Sequence, residues 1–409
     1  MATATVGTTY TNPNFVGPLF HLTPTDTPFL SAIGGLNGGR SIASKYHTWQ
    51  TDANGAPDQP AIVEGADPSY AEETRSEVSN ITQIFQKGVQ VTYTKLAMTA
   101  QLGDYASSRT WSIMGDQPVK DERAHQLMLK LAVMKRQVEY SMLRGEYQAP
   151  SDNSTGRKMR GMKAAISTYS LDLFTIPGTA GTCTFDVTGG ASEDLWTIVG
   201  AHGFAVGDEV QFTAVGTGAE GYAVDTSYWV ASIPSTTTFQ LSATKSTTVL
   251  EGTSADSSGT WTIKKARDAV KSDYDRLLRE MVEGTTNAAP LTNPVWMMGA
   301  KNKQVISDIY GYAPESRSIG GLNIQSVMHD FGPATIGVLF NRYMHPGDIY
   351  LLDLSVIFPV FTPIPGKGHF FAEPLAQTGA AENWQIYGEI GLEYGPESNH
   401  GKIVGSTTA

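Results

Sequence analysis

Three groups of residues in this sequence have types and spacings that could do chemistry: a glycine-rich stretch, an acidic loop and eight histidines. Gly216, Gly218 and Gly221 match the G-x-G-x-x-G spacing of a dinucleotide-binding turn. In such a turn a helix N-terminus follows the glycines and holds the phosphate charge. Here the glycines lead into Tyr222–Asp225 without a helical pattern, so the spacing predicts a plain turn.

The acidic loop contains Asp152, Ser154 and Gly156, the residue types that open a calcium-binding loop. No carboxylate stands where such a loop closes, so an ordinary exposed loop is expected. The histidines form no i,i+4 pair and have no carboxylate cluster at metal-ligand spacing, which predicts hydrogen-bonded surface or interface residues. They are His21, His47, His125, His202, His329, His345, His369 and His400.

No nucleophile, base and orienting group can be assembled from the local patterns. The chain has no G-x-S-x-G elbow, no Walker loop and no H-E-x-x-H helix. The single cysteine, Cys183, excludes an internal disulfide and a zinc site built from cysteines, and we expect it to be a small buried residue. The sequence therefore predicts a protein that is not an enzyme, with no catalytic residue, no cofactor and no metal.

The bulk composition describes a globular protein of several structural units. With 409 residues the chain exceeds one ordinary core, and 42 glycines with 21 prolines favour turns and extended segments. A net charge of -11 is the wrong sign for gripping phosphate backbones. There is no apolar run of membrane-spanning length and no basic secretory N-region, which predicts no membrane partner and synthesis in a reducing cytoplasm.

The first 40 residues predict an extended arm rather than a helix or a strand. Met1–Gly39 has one charged side chain, Asp26, and prolines recur through it. An arm this apolar is expected to lie on a protein surface, its own or a neighbour's. We hypothesise that its large apolar side chains bury against adjacent subunits; they are Phe15, Leu19, Phe20, Phe29 and Leu30.

Two β-rich segments, Ser41–Trp49 and Val78–Thr94, predict the two arms of a long hairpin. The stretch between them, Gln50–Ser76, is rich in Pro, Gly and mixed charge, so it is expected to project outward. The strongest single element follows, a helix that starts at Asp116–Pro118 and ends at Gly145. Its apolar stripe is Leu127, Leu131, Met134, Val138 and Met142, and Lys135 with Glu139 is expected to be an ordinary i,i+4 surface pair.

An acidic, β-rich segment interrupts the chain after this helix. From Gly178 to Ile263 there are nine acidic residues and one lysine, so the segment holds -8 of the net charge. Its short β-rich runs predict a separate all-β insertion. They are 195–199, 210–214, 228–233, 238–241 and 260–263.

The α+β pattern resumes beyond the insertion with a helix over Lys265–Glu283. A second helix is predicted over Ala300–Tyr310. The remaining periodicity predicts strands, at 295–298, 322–328, 335–340, 349–354, 384–394 and 402–404.

This order of elements and several local motifs resemble the major capsid proteins of tailed bacteriophages with the Hong Kong 97 type fold. In the first half the motifs are Thr27–Leu30, Val63–Asp67, Asn80–Ile84 and Arg136–Gly145. In the second half they are His329–Gly332, Asn341–Met344, Asp348–Asp353, Leu375–Gly379 and Tyr387–Leu392. The insertion, with His202–Phe212, Tyr228–Val230 and Thr238–Ser242, is similar to a small β module of phage structural proteins.

The resemblance implies an α+β Hong Kong 97 type capsid fold with an added all-β domain. The implied parts are an N-terminal arm at 1–40, an extended β-hairpin loop at 41–97, a peripheral domain with a spine helix at 98–150, the first part of an axial domain at 151–177, the insertion at 178–264, the second part of the axial domain at 265–355, and C-terminal strands at 356–409.

The implied function is that of a head protein that self-assembles into pentamers and hexamers of an icosahedral shell. The implied partners are other copies of the chain, a separate scaffolding protein, a portal and a decoration protein, with double-stranded DNA contained but not bound by sequence. The implied location is the virion, after assembly in the bacterial host cytoplasm. Glu64 and Asp67 of the projecting loop join the arm as expected assembly residues, and the acidic insertion is expected on the outer surface.

Two other readings are open at this point. A phage tail or decoration component would also contain a β module like the insertion, although the long helix and the terminal strands argue against it. A hydrolase or binding protein with a β appendage would need a pocket of converging polar groups, which the sequence does not indicate.

Overall fold

The structure, a computed structural model, describes most of the chain. The described residues are 23–36, 38–52, 59, 61–67, 70, 72, 75–96, 122–152, 154–179, 181–187, 194–214, 221–250, 261–283, 291–310, 316–319, 322–328, 335–377 and 379–408. Their helices include α1 (Pro28–Ala32), α2 (Glu122–Arg144), α3 (Met162–Ala165), α4 (Lys271–Glu283) and α5 (Ala300–Tyr310).

A seven-stranded mixed sheet forms the centre of the subunit. Its strands, in spatial order, are β13 (Ser316–Ile319), β14 (Leu322–Met328), β15 (Thr335–Phe340), β12 (Pro294–Met298), β16 (Ile349–Asp353), β20 (His400–Val404) and β5 (Ser170–Asp172). The β12–β15 and β20–β5 pairs are parallel and the others are antiparallel.

Both faces of the sheet are buried at its middle strands β12 and β16, and β12 shows why. Val295 and Met297 point into one apolar core, which also contains α2. Trp296 and Met298 point into a second core on the opposite face, against α4. Successive side chains of a strand alternate between faces, so a strand between two cores must be apolar at every position.

A second, five-stranded sheet is built around the 13-residue strand β19 (Ala381–Glu393). One edge of β19 pairs with β4 (Gln83–Thr92), and the other pairs first with β18 (Phe370–Pro374) and then with β17 (Phe358–Phe361). The short strand β1 (Arg40–Ser41) extends the sheet beside β17.

The predicted hairpin is correct in its first half and wrong in its second. Strand β2 (Tyr46–Asp52) pairs with β3 (Arg75–Ile81), as expected. The chain then passes through Thr82 into β4, which pairs with β19 instead of continuing along β2. The alternation in β4 therefore reflects a core-facing strand of the five-stranded sheet, which the pattern alone could not distinguish from a hairpin arm.

Helix α2 is the 23-residue spine between these layers. Met134, Val138 and Met142 of the predicted stripe are fully buried, whereas Leu127 and Leu131 pack on the core from a partly exposed position. The predicted start at Asp116–Pro118 lies outside the described residues. The helix ends before Gly145, where an added Cβ would lie 2.3 Å from the Ser141 carbonyl oxygen, so only glycine fits.

The inserted segment closes into a six-stranded barrel. Its strands are β6 (Thr182–Val187), β7 (Asp194–Ile198), β8 (Glu209–Ala214), β9 (Ser227–Ser232), β10 (Thr238–Ser242) and β11 (Trp261–Lys265), joined in the order β10-β7-β6-β11-β8-β9. The interior is aromatic: Trp196 and Trp261 are at most 2% exposed, and their rings lie 5.2 Å apart. The barrel thus has its own apolar core.

Two boundaries differ from the prediction around this insertion. Lys265 ends β11, and the next helix begins at Lys271 rather than at Lys265. Strand β6 was not predicted, because its alternation of Thr, Cys, Phe and Asp is short and weak. Within the described residues, no helix is both long and apolar enough to cross a membrane.

His400 joins the two sheets from a fully buried position. Its Nε2 donates to the carbonyl oxygen of Tyr394 at 2.7 Å, and its Nδ1 accepts from the backbone N–H of Asp353 at 3.3 Å. This pattern needs a neutral ring. Burial lowers the pKa of His400 to about 4.

We predict that His400 makes the folded subunit less stable in mild acid. The unfolded ring takes up a proton near its ordinary pKa of 6.5, whereas the folded ring does so only near 4. Between these values the unfolded state binds more protons than the folded state. The free energy of unfolding therefore decreases as the pH is lowered from 6.5 to 4, by up to ~3 kcal/mol. Urea unfolding of unassembled subunits across this range should show a smaller fall for His400→Gln. The control is His125→Gln, which replaces a partly exposed side chain. If the unfolding free energy of His400→Gln depended on pH as that of the wild type does, His400 would not be the group responsible.

Candidate assembly surfaces

The described part of the arm is attached to the spine helix by one buried carboxylate. Glu139 of α2 is 0% exposed. Its Oε1 accepts from the backbone N–H of Phe29 at 2.8 Å, and its Oε2 accepts from that of Leu30 at 2.6 Å. The side-chain amide of Asn341, just after β15, donates to Oε1 at 2.6 Å. One side chain thus binds the first turn of α1, the spine and the central sheet together.

This geometry corrects the expectation that Lys135 and Glu139 form a surface pair. The Glu139 carboxylate lies in the core, where burial raises its pKa to about 7. The three donors act in the opposite direction and favour the charged form. Sequence spacing showed a helical i,i+4 pair but gave no sign of a partner more than 100 residues away.

The structure also corrects part of the arm hypothesis. Phe29 and Leu30 are 0% and 2% exposed in the single subunit, so they pack in its own core and not against a neighbour. The reason is that the backbone N–H groups of Phe29 and Leu30 both donate to Glu139, which holds α1 against α2. Phe15, Leu19 and Phe20 lie outside the described residues, and their contact with a neighbour stays a prediction.

The base of the projecting loop is fixed to the five-stranded sheet. The buried His47 ring contacts the Leu392 carbonyl oxygen at 3.2 Å, and Asn80 donates to the same oxygen at 2.8 Å. Gly391 makes this approach fit, because an added Cβ would lie 2.9 Å from Cε1 of His47. Trp49 donates to the Gly395 carbonyl oxygen at 2.9 Å.

The tip of this loop has no cover in the single subunit. Residues 61–67 are all exposed, and Ile62 and Val63 expose 77% and 79% of their surface. A turn closes from the Ala66 N–H to the Val63 carbonyl oxygen at 3.1 Å, with Gly65 at φ +82°. Glu64 and Asp67 therefore stand beside exposed apolar side chains, as an assembly contact would require.

The candidate chemical groups do not form a reacting site. Asp152 accepts from the backbone and hydroxyl of Ser154 at 3.0 and 2.7 Å in an exposed loop. Gly221 occupies a barrel turn at φ +103°, and Gly216 and Gly218 lie outside the described residues. No group of three or more potential metal ligands occurs in the part of the chain that the structure describes.

Four histidines were wrongly expected at the surface. They are hydrogen-bonded but at most 6% exposed, and they are His47, His202, His345 and His400. Cys183 is 1% exposed, and burial raises its pKa to about 12, so it is a core residue of the barrel. His21 and His329 lie outside the described residues.

A groove of about 510 Å³ runs between α2 and β4. Val133, Arg136 and Tyr140 line one wall, and Ile84 and Gln86 line the other. The walls hold one cation and several amides and hydroxyls, but no nucleophile paired with a base.

One family model, described as the SU10 major capsid protein, matches residues 2–407. The chain belongs to the SU10 major capsid protein family. It is therefore a structural protein of the virion, and copies of it assemble into the capsid shell. The match confirms the resemblance to phage major capsid proteins. A search of curated proteins gives no match.

One solved structure with a TM-score above 0.5 supports the fold of this capsid protein, and two others are similar to it at lower scores. A capsid of cyanophage A-1(L) is 11% identical, with a TM-score of 0.54, over 98% of this chain and 99% of that chain. A capsid of cyanophage P-SCSP1u is 8% identical, with a TM-score of 0.47, over 100% and 96%. An encapsulin complex from Synechococcus elongatus PCC 7942 is 10% identical, with a TM-score of 0.44, over 98% and 94%. The first of these shows the Hong Kong 97 type fold.

We predict that Glu139→Gln destabilises the subunit by about 2 kcal/mol or more, since an amide nitrogen then faces a buried backbone donor. Urea unfolding measures the loss. The matched control is Glu280→Gln, which breaks an exposed i,i+4 pair with Arg276 and should change stability by less than about 0.5 kcal/mol. Equal effects of the two substitutions would show that the Glu139 bonds do not hold the arm.

Proposed function

We propose that this capsid protein forms pentamers and hexamers that close into an icosahedral shell around double-stranded DNA. Head-to-tail contacts between identical subunits close into rings when the rotation allows. The observation that carries the proposal is the exposed tip at residues 61–67, set on a hairpin whose base is hydrogen-bonded into the core. A rigid base with an uncovered apolar tip fits a contact to the next subunit.

The parts of the subunit have separate tasks in this proposal. Within the arm at 1–40 the residues before α1 reach neighbours, and within the loop at 41–97 the tip at 61–67 does so. The peripheral part at 98–150 forms the ring edge around α2. The axial part, at 151–177 and 265–355, lies towards the ring axis, and the strands of 356–409 connect the two. Phe15, Leu19 and Phe20 are the proposed arm contacts.

The DNA is contained rather than gripped. The net charge of -11 opposes tight binding of phosphate backbones, so the shell needs no sequence-specific DNA surface. The insertion at 178–264, with much of this charge, suits the outer surface. A scaffolding protein, a portal and a decoration protein are the further proposed partners.

We also propose that the subunit has no catalytic role. The support is the family to which it belongs, together with the hydrogen-bonded or buried state of the candidate groups. An enzyme would need nucleophile, base and orienter within bonding reach.

Expression of the chain alone, followed by negative-stain electron microscopy, tests the assembly proposal. We expect five- or six-membered rings, tubes or closed shells. Dispersed monomers that persist when a scaffolding protein is co-expressed would contradict it.

A charge reversal tests the loop contact. We expect the double variant Glu64→Lys and Asp67→Lys to fold normally, because both side chains are exposed, but to lose ring and shell assembly. Circular dichroism checks folding, and size-exclusion chromatography with microscopy measures assembly. Glu146→Lys, an exposed change elsewhere on the subunit, is the control. Normal shells from the double variant would remove Glu64 and Asp67 from the interface.

A further inference from the structure

Asp225, on the turn between β8 and β9 of the barrel, has an unusual backbone. Its φ is +55°, and among the described residues other than glycine it alone has a positive φ. Aspartate adopts this region more readily than most residues with a Cβ, though still at some cost, so contacts around the turn help to hold it there.

Those contacts come from the body of the subunit. The Nε2 of His345 donates to the Asp225 carbonyl oxygen at 2.9 Å, and Nζ of Lys163 lies 3.2 Å from Oδ2 of Asp225. His345 follows β15 and is 5% exposed, whereas Lys163 belongs to α3. The strained turn is thus held by both its carbonyl oxygen and its carboxylate.

The hydrogen bonds of His345 fix its tautomer. Nδ1 accepts from the backbone N–H of Gly347 at 3.2 Å, so Nε2 carries the proton given to Asp225. The ring must be neutral for both bonds to exist. A second proton, on Nδ1, would face the Gly347 N–H, so the protonated ring has to turn away from it, which withdraws Nε2 from the Asp225 carbonyl oxygen.

A second attachment, which does not involve a histidine, joins the barrel to the body at its chain ends. The backbones of Thr175 and Lys265 exchange hydrogen bonds of 2.8 and 2.9 Å. Lys264 pairs with Asp172 at 2.9 Å, and Glu209 accepts from the backbone N–H and the hydroxyl of Thr408 at 2.6 and 2.8 Å. This neck would keep the barrel attached if the Asp225 contacts opened.

We propose that Asp225 and His345 form a proton-sensitive clasp, which fixes the orientation of the barrel on the capsid subunit at neutral pH and releases the barrel to pivot about its neck in mild acid. The clasp goes beyond the shell-forming function. It gives the shell surface two barrel orientations without unfolding the subunit.

The charges around His345 set the direction of the effect. Asp348, with Oδ1 3.7 Å from Nδ1, favours the protonated ring, whereas Lys163 and Arg144 oppose it. The Asp348 carboxylate is itself shared, since it accepts from the Tyr350 hydroxyl at 3.1 Å and lies 3.5 Å from Nζ of Lys163. Burial outweighs the other influences and lowers the pKa of His345. Opening exposes the ring and returns its pKa towards the ordinary value, so opening takes up a proton and acid favours it.

Spin labels on the two bodies measure the clasp directly. The label positions are Thr236→Cys on an exposed barrel turn and Glu146→Cys, an exposed position just after the end of α2. Labelled chains are diluted into unlabelled chains before assembly, so that distances within one subunit dominate. An unmodified chain, whose Cys183 is buried, controls for stray labelling. Double electron–electron resonance should give one narrow distance distribution at about pH 7.5, and a wider or two-peaked one at about pH 5.

Two substitutions distinguish release of the clasp through His345 from a general loosening of the subunit in acid. His345→Gln keeps an amide donor for Asp225 but cannot titrate, so its distribution should stay narrow at both pH values. His345→Ala removes the donor, so its distribution should be wide already at neutral pH. An unchanged wild-type distribution in acid, or a His345→Gln variant that widens as the wild type does, would overturn the proposal. Thermal unfolding of each variant confirms that it is folded.

Discussion

The burial of one carboxylate determines how the parts of this capsid subunit meet. Glu139 sits at 0% exposure, and a buried charge is tolerated only when hydrogen bonds replace the lost water. Its donors come from α1 and from Asn341 at the end of β15, so the arm, the spine and the central sheet must all be in place for the carboxylate to be satisfied. This requirement also explains why Phe29 and Leu30 belong to the subunit's own core.

The same requirement separates a buried, hydrogen-bonded core from the exposed loop tip of the subunit. The core that contains Glu139 continues through α2 to both sheets, and the base of the projecting hairpin is bonded to Leu392 of β19. The buried hydrogen bonds and apolar contacts that stabilise the subunit are therefore concentrated where the spine helix and the sheets meet. The loop tip at 61–67 lies beyond this region and has apolar side chains with nothing to cover them. In the proposed shell this exposed apolar surface would be covered by a neighbouring copy.

Local patterns predicted local structure well and distant partners poorly. Helix α5 and strands β14 and β15 have the predicted limits. The spacing of apolar residues, every 3.6 residues in a helix and every 2 in a strand, can be read directly from the sequence. The pairing of β4 with β19 joins residues about 300 positions apart, and nothing in the alternation of β4 names its partner. The prediction of a surface position for Glu139 failed for the same reason. A glutamate on a helix has the same local sequence pattern whether water or a distant backbone group forms hydrogen bonds with it. The arm residues were predicted from the apolar composition of the arm, and Glu64 and Asp67 from the family resemblance. Of the predicted assembly residues that the structure describes, Glu64 and Asp67 lie exposed, whereas Phe29 and Leu30 are buried.

The barrel shows how a shell subunit can accept a large insertion without losing its fold. Its aromatic core, with Trp196 and Trp261 at the centre, is closed by its own six strands and needs no apolar contact from the body. Its ends enter and leave side by side, where Thr175 and Lys265 exchange backbone hydrogen bonds. An element with adjacent ends adds little constraint to the chain around it, so the sheets on either side can form as if it were a surface loop. The contacts between the barrel and the body include ion pairs, backbone hydrogen bonds and the His345 ring. Polar contacts of this kind respond to pH and salt, so a change in solution conditions should shift the barrel on its neck.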